Sequence, residues 1–169
     1  MDTMDAIWTR RSIRKYLNQP VPEELIQKLL GAAMQAPSAR NQRPWQFVVI
    51  DQQAILAEIP KFMPNAAMAG SAPLAIAVCG DLDLEESEGY WVVDCSAAVQ
   101  NMLLAAPALG LGAVWCGVYP REQRMEGLRR LMGLPENVVA HSLVVVGYAA
   151  EQVPPVDRFQ PERVRRNHW

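Results

Sequence analysis

The sequence is poor in the residues that build metal centres and disulfide frameworks. It has three cysteines, Cys79, Cys95 and Cys116, and two histidines, His141 and His168. An odd number of widely spaced cysteines is typical of buried thiols in a reducing compartment, and two distant histidines are too few for a zinc cluster. We therefore expect neither disulfide bonds nor a metal site.

Long apolar runs and an excess of charge are also missing. No apolar run approaches the ~18 residues of a membrane span, and residues 1–5 are acidic and polar, unlike the start of a secretory signal. The 16 Lys and Arg residues against 18 Asp and Glu give a net charge of −2, so the chain as a whole does not attract polyanions. These features predict a cytoplasmic protein without membrane or nucleic-acid partners, and the length of 169 residues predicts a single domain over residues 1–169.

The basic residues that are present cluster near the two ends of the chain. Residues 10–16 read Arg-Arg-Ser-Ile-Arg-Lys-Tyr directly after a short amphipathic helix, and four more arginines follow Val156. A guanidinium group offers a planar fork of donors that matches phosphate oxygens, and a serine hydroxyl adds another donor. The N-terminal stretch is therefore either a site for a phosphorylated ligand or a solvated basic loop.

Two further segments join this stretch in a resemblance to a known family. Residues 36–47 read Ala-Pro-Ser-Ala-Arg-Asn-Gln-Arg-Pro-Trp-Gln-Phe, and residues 110–117 read Gly-Leu-Gly-Ala-Val-Trp-Cys-Gly after a long apolar helix. In order and content, the three segments resemble the FMN-dependent nitroreductase family, whose members carry R-x-S-x-R-x-[FY], P-S-x-x-N-x-[QR]-P-W-x-F and G-L-G-x-x-W. The resemblance extends over residues 4–169.

The apolar pattern predicts an alternation of helices and strands. Helices are expected at residues 22–36, 90–109 and 125–132, and strands at residues 47–50, 74–79, 113–118 and 142–148. Alternation alone suggests a doubly wound parallel sheet. The resemblance implies instead an α+β fold, a three-layer sandwich with a mainly antiparallel central sheet flanked by helices. It further implies a homodimer that exchanges C-terminal arms, here residues 153–169.

Two details of this pattern concern the central helix and the loop before the second strand. Pro107 predicts a kink or an early end of the helix at 90–109, which is apolar almost all round and therefore buried on several sides. Residues 63–71 are rich in Ala, Met, Pro and Gly and are interpreted as a mobile cover. Met63 and Met68 fit either a soft wall over a ligand or the filling of a core.

The resemblance implies an FMN site built from both subunits of the dimer. One group of residues matches the family's first FMN motif: Arg10, Arg11, Ser12 and Arg14. Its first arginine and its serine are expected near the phosphate or ribityl chain, and Arg14 near the pyrimidine side of the flavin. A second group would reach the flavin from the opposite subunit: Pro37, Ser38 and Asn41. Serine and asparagine there also suit a turn before a strand.

Two later segments complete the implied site. Trp115, Cys116 and Gly117 match the stretch whose backbone lies against the ring near N5, which makes the cysteine a wall residue and not a nucleophile. Arg158 resembles the family's late phosphate-binding arginine, although Val156 stands where a second basic residue is common, and Arg163 or Arg165 could take its place. A further flavin contact within residues 65–70 has no definite match.

The resemblance implies an FMN-dependent oxidoreductase. NADH or NADPH would deliver hydride to the flavin and be replaced, in ping-pong fashion, by a small-molecule electron acceptor such as a nitroaromatic or a quinone. Three alternatives remain: a flavin-binding protein of the same fold without such turnover, a Ser/His/Asp hydrolase that uses His141 with Ser142 or Ser96, and a basic arm at residues 158–169 that binds nucleic acid. No Gly-x-Ser-x-Gly elbow accompanies the second. The acceptor and the choice of nucleotide stay open.

Overall fold

A four-stranded sheet lies at the centre of the computed structural model, which describes residues 1–169. The strands are β1 (Trp45–Ile50), β2 (Leu74–Asp81), β3 (Gly112–Gly117) and β4 (Val138–Gly147). Their spatial order is β1-β2-β4-β3, and every neighbouring pair is antiparallel. The α+β fold with a mainly antiparallel sheet is confirmed, and the doubly wound parallel arrangement suggested by alternation alone is wrong.

Five α-helices accompany the sheet: α1 (Thr3–Thr9), α2 (Glu23–Met34), α3 (Gln53–Leu56), α4 (Trp91–Ala108) and α5 (Glu122–Met132). Helix α4 ends one residue after Pro107, as the missing amide donor of proline predicts. Helix α5 ends at Gly133, which adopts the left-handed conformation (φ 65°) that glycine reaches at little cost. None of these helices combines the length and the hydropathy needed to cross a membrane.

Both faces of the sheet are buried. On β2, Ile76 and Val78 point to the layer of α2 and α4, whereas Ala75 and Ala77 point to a second layer that contains residues 56–72 and α5. All four side chains are fully buried. Because each face has its own apolar layer, the sheet is the middle of a three-layer sandwich, and burial of each large aliphatic side chain contributes about 1.5–3 kcal/mol.

The segment interpreted as a mobile cover is part of the second layer. Residues 64–71 form 3₁₀ turns, and Met63, Ala66 and Ala69 are fully buried. Residues three apart lie on one side of a 3₁₀ turn, so the small apolar side chains at this spacing all face the core. The interpretation of this segment as a cover is therefore wrong, and Met63 fills the core, with Met68 packed against the same cluster.

The chain after β4 leaves the body of the protein. Every residue from 152 to 169 is exposed, and the only regular element there is a 3₁₀ turn at Pro161–Arg163. Phe159 is 69% exposed and Trp169 fully exposed. Two large aromatic side chains thus find no apolar surface within this chain.

Candidate functional site

The N-terminal basic segment lies along the outer edge of the sheet. Ser12 forms a parallel bridge with Ala113 of β3, and the Ile13 amide donates to the Ala113 carbonyl at 3.1 Å. Gly112 makes this close approach possible, since a Cβ there would stand 2.8 Å from the Cβ of Ile13. The hydroxyl of Tyr16 donates to the backbone carbonyl of Ile13 and lies 3.1 Å from the carbonyl of Val145 in β4. The segment is therefore held in place by these contacts, and the side chains of Arg10, Arg14 and Lys15 make no hydrogen bond within the chain.

The guanidinium of Arg10 has cations and no carboxylate around it. Its pKa is lowered by burial first and then by the positive charges of Arg11 and Arg158. None of the four ion pairs of the chain includes a residue of 10–16 or of the tail. A cavity of about 160 Å³ opens beside this group, bounded by Thr9, Arg10, Arg11 and the end of α4. Uncompensated like charges that converge at a cavity favour the binding of an anion.

Arg11 and Arg14 have different roles in this structure. The guanidinium of Arg11 donates to the carbonyls of Trp8 (3.1 Å) and Pro154 (2.9 Å), so it ties the start of the C-terminal arm to α1. The side chain of Arg14 is exposed and has no hydrogen-bond partner, while its backbone amide donates to a carboxylate oxygen of Glu151 at 2.6 Å. That bond lowers the pKa of Glu151. The backbone at Arg14 is thus fixed, and its guanidinium is free for a ligand.

The end of β3 presents its side chains to opposite faces. Trp115 is 36% exposed, whereas Cys116 is buried, and burial raises the pKa of its thiol to about 11. A neutral, buried thiol suits the expected wall residue and is unsuited to nucleophilic attack. The thiol lies 3.8 Å from the backbone carbonyl of Asn65, which brings one residue of the 65–70 segment to this edge. The Gly117 carbonyl accepts from Arg124 at 2.8 Å.

The loop after α2 is a tight turn whose backbone is strained. Arg40, Asn41 and Arg43 have φ values of 50°, 57° and 47°, in the left-handed region that costs a non-glycine residue about 1–2 kcal/mol. The Ser38 hydroxyl accepts from the Arg43 amide at 3.0 Å, as the turn interpretation predicts. Pro37 precedes this turn and is exposed. Strain at three positions requires other contacts that hold the loop in place.

A buried carboxylate that sequence reasoning did not single out supplies those contacts. Asp94 of α4, 3% exposed, accepts from the Ala39 amide at 2.9 Å and from the Gln42 side-chain amide at 2.7 Å. The side-chain oxygen of Gln42, Oε1, accepts in turn from the backbone amides of Glu86 and Ser87. One signal in the sequence pointed to Asp94, because it is the only charged residue of helix α4.

The two groups of predicted site residues lie at opposite ends of α4 within one chain. Ser38 borders a cavity of about 240 Å³ with Val93 and Ala97, in the N-terminal half of the helix. The cavity beside the basic segment is bordered by Leu103 and Pro107, near its C-terminal end. Ten residues separate Ala97 from Pro107, which is about 15 Å along a helix axis. A single chain therefore does not bring the two groups together.

His141, the histidine of the hydrolase alternative, is a buried core residue. Its Nε2 lies 3.1 Å from the hydroxyl of Ser96, and its Nδ1 lies 3.2 Å from that of Ser142. The Ser96 hydroxyl already donates to the Val92 carbonyl, so Nε2 carries the proton and Nδ1 accepts from Ser142. Burial lowers the pKa of His141 to about 4. A hydrolytic triad instead needs a carboxylate on one ring nitrogen.

Comparison with known proteins identifies the family of this chain. The model of the nitroreductase family matches residues 7–81 and 60–148. A relative from Methanothermobacter thermautotrophicus, provisionally named NADH dehydrogenase/NAD(P)H nitroreductase, is 53% identical over 169 residues, covering 100% of this chain and 88% of its own length. The structure of an FMN-dependent nitroreductase from Clostridium difficile superposes with a TM-score of 0.91 at 27% identity, covering 98% of this chain and 99% of that one. A provisionally assigned nitroreductase from Desulfovibrio desulfuricans, solved in complex with FMN, gives a TM-score of 0.83 at 29% identity over 100% of this chain and 98% of that one. The chain belongs to the nitroreductase family.

Proposed function

We propose that the protein is an FMN-dependent oxidoreductase that takes electrons from NADH or NADPH and delivers them to a small-molecule acceptor such as a nitroaromatic or a quinone. The observation that carries this proposal is the group of cations beside the edge of β3, where Arg10 has the charges of Arg11 and Arg158 near it and forms no ion pair. The relatives named above add the cofactor and the nucleotide, since their names include FMN and NAD(P)H.

The residues present suit a phosphorylated flavin. A phosphate group brings between one and two negative charges at neutral pH, and such an anion beside Arg10 would offset the burial and the repulsion from Arg11 and Arg158 that lower the pKa of this arginine. Arg10 and Arg158 would hold the phosphate, and Ser12 would donate from its hydroxyl to the phosphate or ribityl chain. The Arg11 guanidinium, already bound to carbonyls, would act by fixing the backbone of this segment.

The remaining residues would orient the ring and set its electrostatic environment. Arg14 would place a fixed positive charge beside the pyrimidine side of the flavin, where it favours negative charge. The backbone of Trp115, Cys116 and Gly117 would line the ring near N5. FMN, when bound, supplies the chemistry of accepting hydride from a nicotinamide and passing electrons to a second substrate. We assign no catalytic side chain, because binding and orientation by the protein suffice for hydride transfer.

The complete site would need two copies of the chain. The loop with Ser38 and Asn41 lies about 15 Å along α4 from the basic segment, so the loop of one copy would close the site of the other. The arm at residues 153–169, held to its own chain by the bond from Arg11 to Pro154, would continue onto the partner and bury Phe159 and Trp169 there, both exposed here. The arm carries four arginines and residues 81–88 carry five carboxylates, which supports an arm that crosses near this acidic segment. We therefore propose a homodimer.

Anaerobic reduction tests the activity. The FMN-loaded protein is mixed with NADH and, separately, with NADPH, and the visible flavin absorption is followed; we expect one or both nucleotides to bleach it. Steady-state rates with a nitroaromatic and a quinone should then give the parallel reciprocal plots of a ping-pong reaction. Bound FMN that neither nucleotide bleaches would leave a flavin-binding protein without this turnover. Light scattering tests the dimer, and a monomeric FMN-loaded protein would contradict it.

A further inference from the structure

A buried acid–amide pair connects three separate segments of the chain. The two oxygens of the Asp94 carboxylate accept from the Ala39 amide and from Nε2 of Gln42, at 2.9 and 2.7 Å. The other end of the Gln42 side chain accepts from the amides of Glu86 and Ser87, at 2.8 and 3.1 Å. Asp94 and Gln42 are 3% and 9% exposed. The pair thus links helix α4, the loop at 38–43 and the segment at 85–87.

The loop needs this attachment because its own contacts only shape it. The bond from the Arg43 amide to the Ser38 hydroxyl and the bond from the Asn41 amide to the Ser38 carbonyl both lie within residues 38–43. Three of these six residues hold left-handed φ values without being glycine. A strained conformation of this kind persists only when neighbouring structure fixes it. The polar contacts from this loop to other elements are those of Ala39 and Gln42.

We propose that Asp94 and Gln42 are positioning residues that hold Ser38 and Asn41 in the orientation in which they contact FMN. Asn41 lies between the anchored amide of Ala39 and the anchored side chain of Gln42, and Ser38 directly precedes Ala39, so each lies next to an anchored residue. This inference rests on the proposed function, in which the loop closes the cofactor site of the partner. Neither Asp94 nor Gln42 needs to touch the cofactor, since each acts through the loop.

In this pair Gln42 donates the hydrogen bond and Asp94 accepts it, and a double variant can exchange the two roles. In Asp94→Asn, an NH₂ group would face the Gln42 NH₂ group, and in Gln42→Glu, two carboxylates would face each other. In the double variant Asp94→Asn/Gln42→Glu, the asparagine oxygen still accepts from Ala39, its NH₂ donates to the new glutamate, and the second glutamate oxygen accepts from Glu86 and Ser87. Every hydrogen bond and the single negative charge are retained. Rescue by the double variant would therefore show the effect of the pairing itself.

The first readout is the dissociation constant of FMN, measured by quenching of its fluorescence. We expect each single variant to bind FMN about 10- to 100-fold more weakly than the wild type, as outer-shell partners of binding sites commonly do. The double variant should bind within about threefold of the wild type. Asp51→Asn is the matched control for the change from acid to amide, because Asp51 is exposed, follows β1 and has no hydrogen-bond partner; it should bind normally.

The second readout is tryptic cleavage of the apoprotein between Arg40 and Asn41, a bond in the loop; Arg43 is followed by Pro44 and resists trypsin. Cleavage should be faster in the single variants and return to the wild-type rate in the double variant. If the wild type binds FMN, unchanged FMN affinity in the single variants would overturn the inference. A double variant that folds but does not recover the FMN affinity of the wild type would do the same. Failure of both the single and the double variants to fold would also overturn it, since the pair would then serve the core alone. A wild type that does not bind FMN would overturn the proposed function and this inference with it.

Discussion

Replacing Arg14 by alanine should remove cofactor affinity and leave stability unchanged. The side chain of Arg14 is exposed and has no protein partner, and the backbone bond to Glu151 does not depend on it. The free energy of unfolding should therefore change by no more than about 0.5 kcal/mol. A lost hydrogen bond to a charged group, here the guanidinium, costs about 1.5–3 kcal/mol. At 1.4 kcal/mol per tenfold change, FMN should bind about 10- to 100-fold more weakly.

Two assays on the same samples test whether FMN affinity falls while stability stays unchanged. Fluorescence quenching gives the FMN dissociation constant, and urea unfolding of the apoprotein gives stability. Lys15→Ala is the control: it removes the same charge one residue away, from an exposed side chain without a hydrogen-bond partner. The FMN dissociation constant of Lys15→Ala should differ from that of the wild type by less than about threefold, because screening by salt weakens interactions between separated exposed charges. Equal FMN affinity in Arg14→Ala and the wild type, or equal losses in the two variants, would refute the reasoning.

Two further predictions concern stability. Gly112→Ala should destabilise the fold by about 1–3 kcal/mol and weaken FMN binding, because the new Cβ would stand 2.8 Å from Ile13 and displace the basic segment. Gly31→Ala is the control, since its new Cβ meets open space in α2. It should stabilise the fold by about 0.5–1 kcal/mol, as measured by urea unfolding. The pKa of His141 is about 4 in the folded protein, against 6.5 ordinarily. The unfolded chain therefore takes up the proton first as the pH falls. The free energy of unfolding should decrease by about 3 kcal/mol between pH 6.5 and pH 4. His141→Gln should lack this part of the pH dependence of the unfolding free energy; equal slopes in the two proteins would contradict it.

The position of each strand was readable from the sequence, but the direction of the strands was not. β2 reads Leu-Ala-Ile-Ala-Val-Cys without polar alternation, because both faces of this antiparallel sheet are covered. Continuous apolar strands are the usual mark of parallel sheets, which explains why the pattern alone misled. The three motifs resolved the ambiguity. They carry information on family, which hydrophobic periodicity lacks.

The candidate site was readable where it is local in sequence. The basic segment at 10–16 stands together along the chain, and its charges also converge in space. The Asp94–Gln42 pair spans 52 residues, and the approach of Asn65 to Cys116 spans 51. Contacts of this range arise from the order of elements in the fold, and no spacing along the sequence marks them.

The most direct test of the account is the visible absorption spectrum of the purified protein, followed by release and identification of any bound flavin after denaturation. Arg10 has the charges of Arg11 and Arg158 beside it and forms no ion pair, so we predict a yellow protein, or an apoprotein that binds added FMN with a shifted spectrum, and a released flavin that carries one phosphate. A protein that neither contains FMN nor shifts the spectrum of added FMN would contradict the account at its centre and return residues 10–16 to the status of a solvated basic segment.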